Sequence, residues 1–196
     1  MANSLDTIAL NQLFLDARSH NGWLDRPVED DLLQKLYSLL RQGPTSNNSC
    51  PARIVFVRSE EGKQRLIPAL KGHNGEKVAT APVTAIVAYD TRFFEFFPEL
   101  FPAYDAGAPF RDNPQAAEVS ALRNSSLQGA YLIMAARALG LDCGPMSGFD
   151  NAVVDAEFFP GGRWKSNFLC AIGHGDSAAL RPQGTRLNFD QACQFA

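Results

Sequence analysis

Five short stretches of this 196-residue chain hold more polar and glycine residues than turns alone require. They are Arg18-Ser19-His20-Asn21, Pro44 to Asn48, Asn74 to Lys77, Gly144 to Gly148, and the tail around Arg186. Their Arg and Lys residues suit a small anionic ligand held by a few local cations. Taken singly, each stretch also has a plain structural explanation. Arg18 and Ser19 read as a helix end, Pro44 to Asn48 as a turn and loop cap, Lys77 as a solvated charge, and Gly144-Pro145 as a helix exit. A second chemistry is a thiol enzyme pairing Cys50 with His20, which requires contact between the two side chains. Metal chemistry has little to draw on. There are three histidines, and the four cysteines (Cys50, Cys143, Cys170 and Cys193) show no paired spacing. The cysteines read as reduced, mostly buried thiols. No GxGxxG follows a strand and no GxxxxGK[ST] is present, so neither a Rossmann dinucleotide site nor a P-loop is expected.

The elements that position these stretches follow from the hydrophobic pattern. Leu5 to Ala17 reads as a helix. Asp30 to Arg41 is a clearer one, with Leu32, Leu33, Leu36, Leu39 and Leu40 on one face and Gly43-Pro44 as its stop. Ile54 to Val57 and Val83 to Tyr89 read as buried strands, with a helix kinked or shortened by Pro68 over Glu60 to Lys71 between them. Phe93 to Phe110 carries seven aromatic residues among prolines, which predicts an irregular helical flap. Glu118 to Leu139 is a long helix, almost wholly apolar after Gln128, that ends at Gly140. Phe168 to Ile172 is a third strand, and a short helix starts near Asp190. Strands and helices alternate without βαβ spacing, which favours an α+β sheet packed by helices.

The totals fit one domain over residues 1–196. Hydrophobic residues make up 45 % and charged ones 20 %, an ordinary globular balance. A net charge of −3 argues against a general nucleic-acid partner. No apolar run approaches the ~20 residues of a membrane span. Met1 to Trp23 lacks a basic start and a long apolar stretch, so a cytoplasmic protein without a secretory leader is expected.

In chain order the five stretches resemble the signatures of the nitroreductase-like flavoprotein family. Ala17-Arg18-Ser19-His20-Asn21-Gly22-Trp23 is similar to Arg-Arg-Ser-x-Arg-x-Phe. Pro44-Thr45-Ser46-Asn47-Asn48-Ser49-Cys50-Pro51-Ala52 is similar to Pro-Ser-x-x-Asn-x-Gln-Pro-Trp. Glu60 to Lys63 and Asn74 to Lys77 look like family segments too. The most specific match is Gly140-Leu141-Asp142 followed by Pro145-Met146-Ser147-Gly148-Phe149-Asp150. Arg123 to Ser126, Gly144 to Asp150 and Lys165 to Asn167 resemble the branch containing the malonic semialdehyde reductase of pyrimidine breakdown.

The resemblance implies a nitroreductase-like α+β fold: a mixed, mainly antiparallel central sheet flanked by helices, in an intertwined homodimer. It implies FMN as cofactor and NADH or NADPH as co-substrate. Arg18, Ser19 and Arg186 match phosphate-holding positions. Asn21 falls in the same signature. Asn74 and Lys77 match positions at the polar edge of the ring and the ribityl chain, where a cation stabilises the anionic reduced flavin. Gly148 matches the residue whose backbone N–H reaches the reactive ring nitrogen, with Pro145 and Ser147 in the same wall. Pro44, Thr45, Ser46, Asn48 and Asn124 match residues supplied by the second subunit. The apolar helix from Leu127 to Leu141 then becomes a dimer core. Ala17, Asn21, Gly184 and Ala52 depart from the family pattern, which implies either weaker FMN binding than usual or substitute cations, with Arg53, Lys165 and Arg181 as candidates. The implied reaction is a two-step hydride relay in one pocket, with kinetics of the ping-pong type. The implied acceptor is a small aldehyde such as malonic semialdehyde, with Arg111 or Arg123 as the cation for a substrate carboxylate. Nitroaromatics and quinones are the alternative acceptors, and the flap Phe93 to Phe110 would roof the pocket. A protein that binds flavin without turning it over, as a sensor or carrier, is the reading of a different class.

Overall fold

Val83–Asp90, here β2, is buried along its whole length, and the rest of the chain is arranged to bury it. The computed structural model describes residues 4–196, so the expectation for Met1 to Trp23 begins on three residues outside the described ones. Strands β1 (Ala52–Val57), β3 (Asp142–Met146) and β4 (Trp164–Gly173) complete a four-stranded sheet in the order β1-β2-β4-β3. All three pairings are antiparallel, with a bulge between Val87 and Ala88 on β2. A lone parallel bridge joins Ser19 to Cys143 on β3. The sheet is thus mainly antiparallel, as expected.

The pleat sends alternate side chains of β2 to opposite faces. Val83, Ala85 and Val87 pack with α2 (Asp30–Leu40) and α7 (Pro114–Ala138). Ile86 and Ala88 face a second core, shared with α3 (Glu60–Leu66), α4 (Asn74–Thr80) and α8 (Asn151–Phe158). Gly129 lets α7 lie close to the sheet, because a Cβ there would meet the Phe168 ring at 2.4 Å. The other face of α7 stays exposed, with Val119, Leu122, Leu127 and Tyr131 presented outward. Among the described residues, no helix is long and apolar enough to cross a membrane.

The aromatic stretch forms a 3₁₀ turn (Phe93–Phe96), then α5 (Phe97–Leu100) and α6 (Ala108–Arg111). Phe93, Phe97 and Phe110 pack on one another with centroids 5.1–6.3 Å apart, over Ala117 and Ala121 of α7. These rings form a small core of their own. Only Phe96 and Tyr104 are left at its rim with open faces.

Beneath this cap, Asp90 is 1 % exposed and carries two arginines. Arg53 Nη2 donates at 2.8 Å, and Arg163 donates through Nε at 2.8 Å and Nη2 at 3.0 Å. Asp90 and Glu95 beside it raise the Arg163 pKa. Asp90→Ala removes the carboxylate from Arg53 and leaves Arg163 only Glu95, at 2.9 Å. It is expected to cost about 3 kcal/mol. Differential scanning calorimetry checks this as a fall in Tm of roughly 5–10 °C.

Candidate functional site

One group of the sequence-selected residues gathers around the β3 edge. Helix α4 runs along Gly144 to Gly148, with Asn74 and Lys77 one turn apart. Asn74 Nδ2 donates to the Gly148 carbonyl at 2.9 Å, and Lys71 N–H donates to the same oxygen at 2.9 Å. The Gly148 carbonyl is therefore held twice, while its N–H has no partner among the described residues. A Cβ at Gly148 would sit 2.8 Å from Asn74 Nδ2, so a larger residue there would displace the Asn74 amide from the Gly148 carbonyl it holds. Pro145 lies mid-strand opposite Cys170, on an edge where a missing N–H is tolerated. Ser147 follows the strand end and is exposed.

Lys77 packs against Gly144, whose Cβ would lie 3.2 Å from Lys77 Cδ. Its residue is 8 % exposed, and no carboxylate among the described residues pairs with it. Burial, helped by the charge of Arg181, lowers its pKa, although Cys170 nearby opposes the shift. Arg18 reaches the same region and donates to the Arg181 carbonyl. Ser19 is fastened to β3 by the parallel bridge to Cys143, and Asn21 is exposed beside it. Arg18, Lys77 and Arg181 thus form a cationic end, with the Asn74–Gly148 wall at the other.

Of the three substitute cations, only Arg181 serves this end. Arg53 is committed to Asp90, and Lys165 donates to Glu118 at 3.0 Å. Arg186 is not brought here either. Its Nη1 bonds the Gly184 and Thr185 carbonyls of its own exposed tail, at 2.9 and 3.1 Å.

The second group lies at the opposite edge, just before β1. Asn124 of α7 is buried and accepts from Ser46 N–H at 2.8 Å. Thr45 Oγ1 accepts from Cys50 N–H at 3.1 Å, and Asn48 Nδ2 donates to the Leu100 carbonyl at 3.0 Å. Asn47, Asn48 and Cys50 take φ of +50°, +51° and +41°, so this loop from Pro44 is held in an uncommon shape. Strands β2 and β4 separate β1 from β3, a span of about 14 Å at the usual strand spacing. Among the described residues, no hydrogen bond or ion pair joins the two groups. One chain therefore keeps the two groups apart, at opposite edges of the sheet.

The thiol-enzyme reading fails on this geometry. Cys50 lies in the β1-edge loop, with its Sγ 3.4 Å from Asn48 Oδ1. His20 lies at the β3 edge, with Nε2 3.3 Å from Asp142 Oδ1. No motif or spacing signals this His20–Asp142 pairing, because the two residues are 122 positions apart.

The family model "Nitroreductase family" matches residues 15–174. The chain belongs to the nitroreductase family. It is 55 % identical over 194 residues to a Rhodopseudomonas palustris protein named NADH dehydrogenase/NAD(P)H nitroreductase, covering 99 % of each chain. A Stutzerimonas stutzeri protein of the same name is 56 % identical, with 98 % of each covered. Among solved structures, a nitroreductase of Exiguobacterium sibiricum in complex with FMN superposes with a TM-score of 0.83 at 21 % identity, covering 100 % of this chain and 99 % of that one. An enone reductase of gut-bacterial fatty acid saturation also reaches 0.83, at 20 % identity and with 98 % and 99 % covered. At these identities the two structures speak to the fold alone. The nitroreductase-family chain described here shares it end to end.

Proposed function

We propose that this nitroreductase-family protein is an FMN-dependent NAD(P)H oxidoreductase whose site is completed by a second copy of the chain. The observation that carries the reading is Lys77: a mostly buried side chain whose ammonium has no carboxylate partner among the described residues, beside Arg18 and Arg181. Such a group calls for an anion from outside the chain. A flavin offers both kinds of anion, a phosphate for Arg18 and Arg181 and a ring edge for Lys77 that becomes negative on reduction, and the free Gly148 N–H suits a ring acceptor that approaches closely. When bound, FMN supplies a ring that takes hydride from NAD(P)H and passes it to an acceptor.

The chain's own residues hold, orient and exclude water. Arg18, Arg181 and Ser19 would hold the phosphate. Lys77 would place positive charge at the polar edge of the ring. Asn74 and Lys71 fix the Gly148 peptide, so that its N–H is presented without reorganisation. Pro44, Thr45, Ser46, Asn48 and Asn124 would come from the partner, pre-shaped by the Asn124–Ser46 bond. The exposed apolar face of α7 gives two copies a surface to share.

For the acceptor, the motif resemblance favours a small aldehyde bearing a carboxylate, such as malonic semialdehyde. Of the two cations considered, Arg111 is engaged by both oxygens of Asp105, at 2.7 and 2.5 Å. Arg123 has no ion pair among the described residues and sits beside Asn124, so it is the available cation. The names of the relatives favour the second reading, a broader reductase of nitroaromatics and quinones.

The test is the visible spectrum of the purified protein, then anaerobic addition of NADPH, then each acceptor in turn. Flavin bands that bleach rapidly and return with malonic semialdehyde are expected. Bands that return only with nitroaromatics or quinones select the second reading. Bound flavin that bleaches slowly points to a sensor or carrier. A colourless protein that takes up no FMN overturns the assignment.

A further inference from the structure

We propose that His20 is the positioning residue of the site's anionic end, acting through Asp142 and touching no ligand itself. The inference rests on the flavin reading above and adds what sets the phosphate-binding residues in place. Arg18 and Ser19 sit on a segment with little regular structure, and something must fix it. His20 is 5 % exposed and is enclosed by two glycines. A Cβ at Gly144 of β3 would lie 2.4 Å from the His20 carbonyl oxygen. A Cβ at Gly175, just past β4, would lie 2.0 Å from His20 Nδ1. Glycine at both places makes room for this one side chain and its peptide.

Three pieces of chain meet here. His20 N–H donates to the Cys143 carbonyl at 2.9 Å, tying the Arg18 segment to β3. Asp142 spans the gap, with Oδ1 3.3 Å from His20 Nε2 and Oδ2 accepting from Gly175 N–H at 2.9 Å. Leu24 N–H donates to the His174 carbonyl at 2.8 Å, and Asp176 N–H to the Gly22 carbonyl at 3.0 Å. The segment bearing Arg18 is thereby bound to the segment that runs on to Arg181, and Arg18 closes the circuit on the Arg181 carbonyl. Nδ1 is buried without a hydrogen-bond partner, so no second contact competes with Asp142 for the ring's orientation. Asp142 opens the strand that leads to Gly148, so one carboxylate refers the cationic end and the ring wall to the same strand.

The test is flavin-fluorescence titration of the full-length protein, stripped of flavin, with FMN and with riboflavin, which lacks the phosphate. His20→Gln and Asp142→Asn are each expected to weaken FMN about tenfold while leaving riboflavin within about twofold. The double variant is expected to be no worse than either single one, because both act through one contact. Gly175→Ala, which crowds the ring without altering it, is expected to reproduce the loss. Equal weakening of both ligands means a general packing role and overturns the proposal. An unchanged FMN-to-riboflavin ratio in Asp142→Asn overturns it too. That variant alters a part-exposed carboxylate, so it decides the matter even where His20→Gln does not fold. Wild-type protein that binds neither ligand, or that does not prefer FMN, overturns the flavin reading instead.

Discussion

Lys77→Met is expected to weaken FMN binding about 10- to 100-fold and, in the same protein, to stabilise the flavin-free state. The first effect follows from removing one charge-assisted contact to the polar edge of the flavin ring, worth roughly 1.5–3 kcal/mol. The second follows because the folded chain now bears an uncompensated buried cation, which methionine replaces with an apolar chain of similar length. The sign with pH can be worked out. Burial lowers the Lys77 pKa, so the folded state binds fewer protons than the unfolded one between that value and the ordinary 10.5. Flavin-free wild type should therefore gain stability as pH rises through that window, and Lys77→Met should lose that part of the slope. Urea titrations at several alkaline pH values read both predictions. A variant that loses stability and keeps its FMN affinity would remove Lys77 from the site.

Gly148→Ala is expected to slow the reduction of bound FMN by NADPH about a hundredfold at saturating FMN, with a much smaller change in FMN affinity. The added Cβ meets Asn74 Nδ2 at 2.8 Å, so either the amide or the Gly148 peptide must shift. A shift of about 1 Å at a positioned group costs on the order of a hundredfold in rate. Anaerobic stopped-flow measures the reduction, and the flavin titration is done separately. Asn74→Ala on the Gly148→Ala background relieves the clash and should recover part of the rate, although one of the two holds on the Gly148 carbonyl is gone. A double variant as slow as the product of the two singles would mean that the clash is not the cause.

Much of the fold was legible where one physical signal dominated. The leucine period and the Gly43-Pro44 stop placed α2 almost to the residue, although Leu39 turned out to be exposed and only Leu33, Leu36 and Leu40 are buried. Pro68 did end α3, in a 3₁₀ turn at Ile67–Ala69. Strand β3 went unread because Gly144-Pro145 in its middle mimics a break, which an edge strand tolerates. Helix α4 was hidden by Gly75 and by its polar opening, and α8 by its shortness, despite an Asp150 cap. The start of α7 at Pro114 was readable from the Asn113 cap and the proline after it, yet the apolar run drew attention downstream. The polar half of β4, Trp164 to Asn167, lacks the apolar run that marks its other half. The first helix is shorter than its pattern, running Thr7–Leu10 into a π turn.

The candidate site divides in the same way. Residues set by local backbone demands, such as Gly148, or fixed in a family motif, such as Asn74 and Lys77, lie close together in the fold. Arg181 was one of three possible cations, and only tertiary packing could show that Arg53 and Lys165 were already engaged. The His20–Asp142 contact joins residues far apart in the chain that carry no period or motif of their own, so it becomes visible only once the chain is folded.

The placement of the two residue groups on opposite sheet edges has a thermodynamic consequence under the proposed reading. If each pocket takes half its walls from another molecule, the cofactor and the second chain become cooperative ligands of the first. Whatever factor the flavin adds to the affinity between chains, the partner chain must add to the affinity for flavin. Cofactor retention is then a function of protein concentration, and dilution alone empties the pocket.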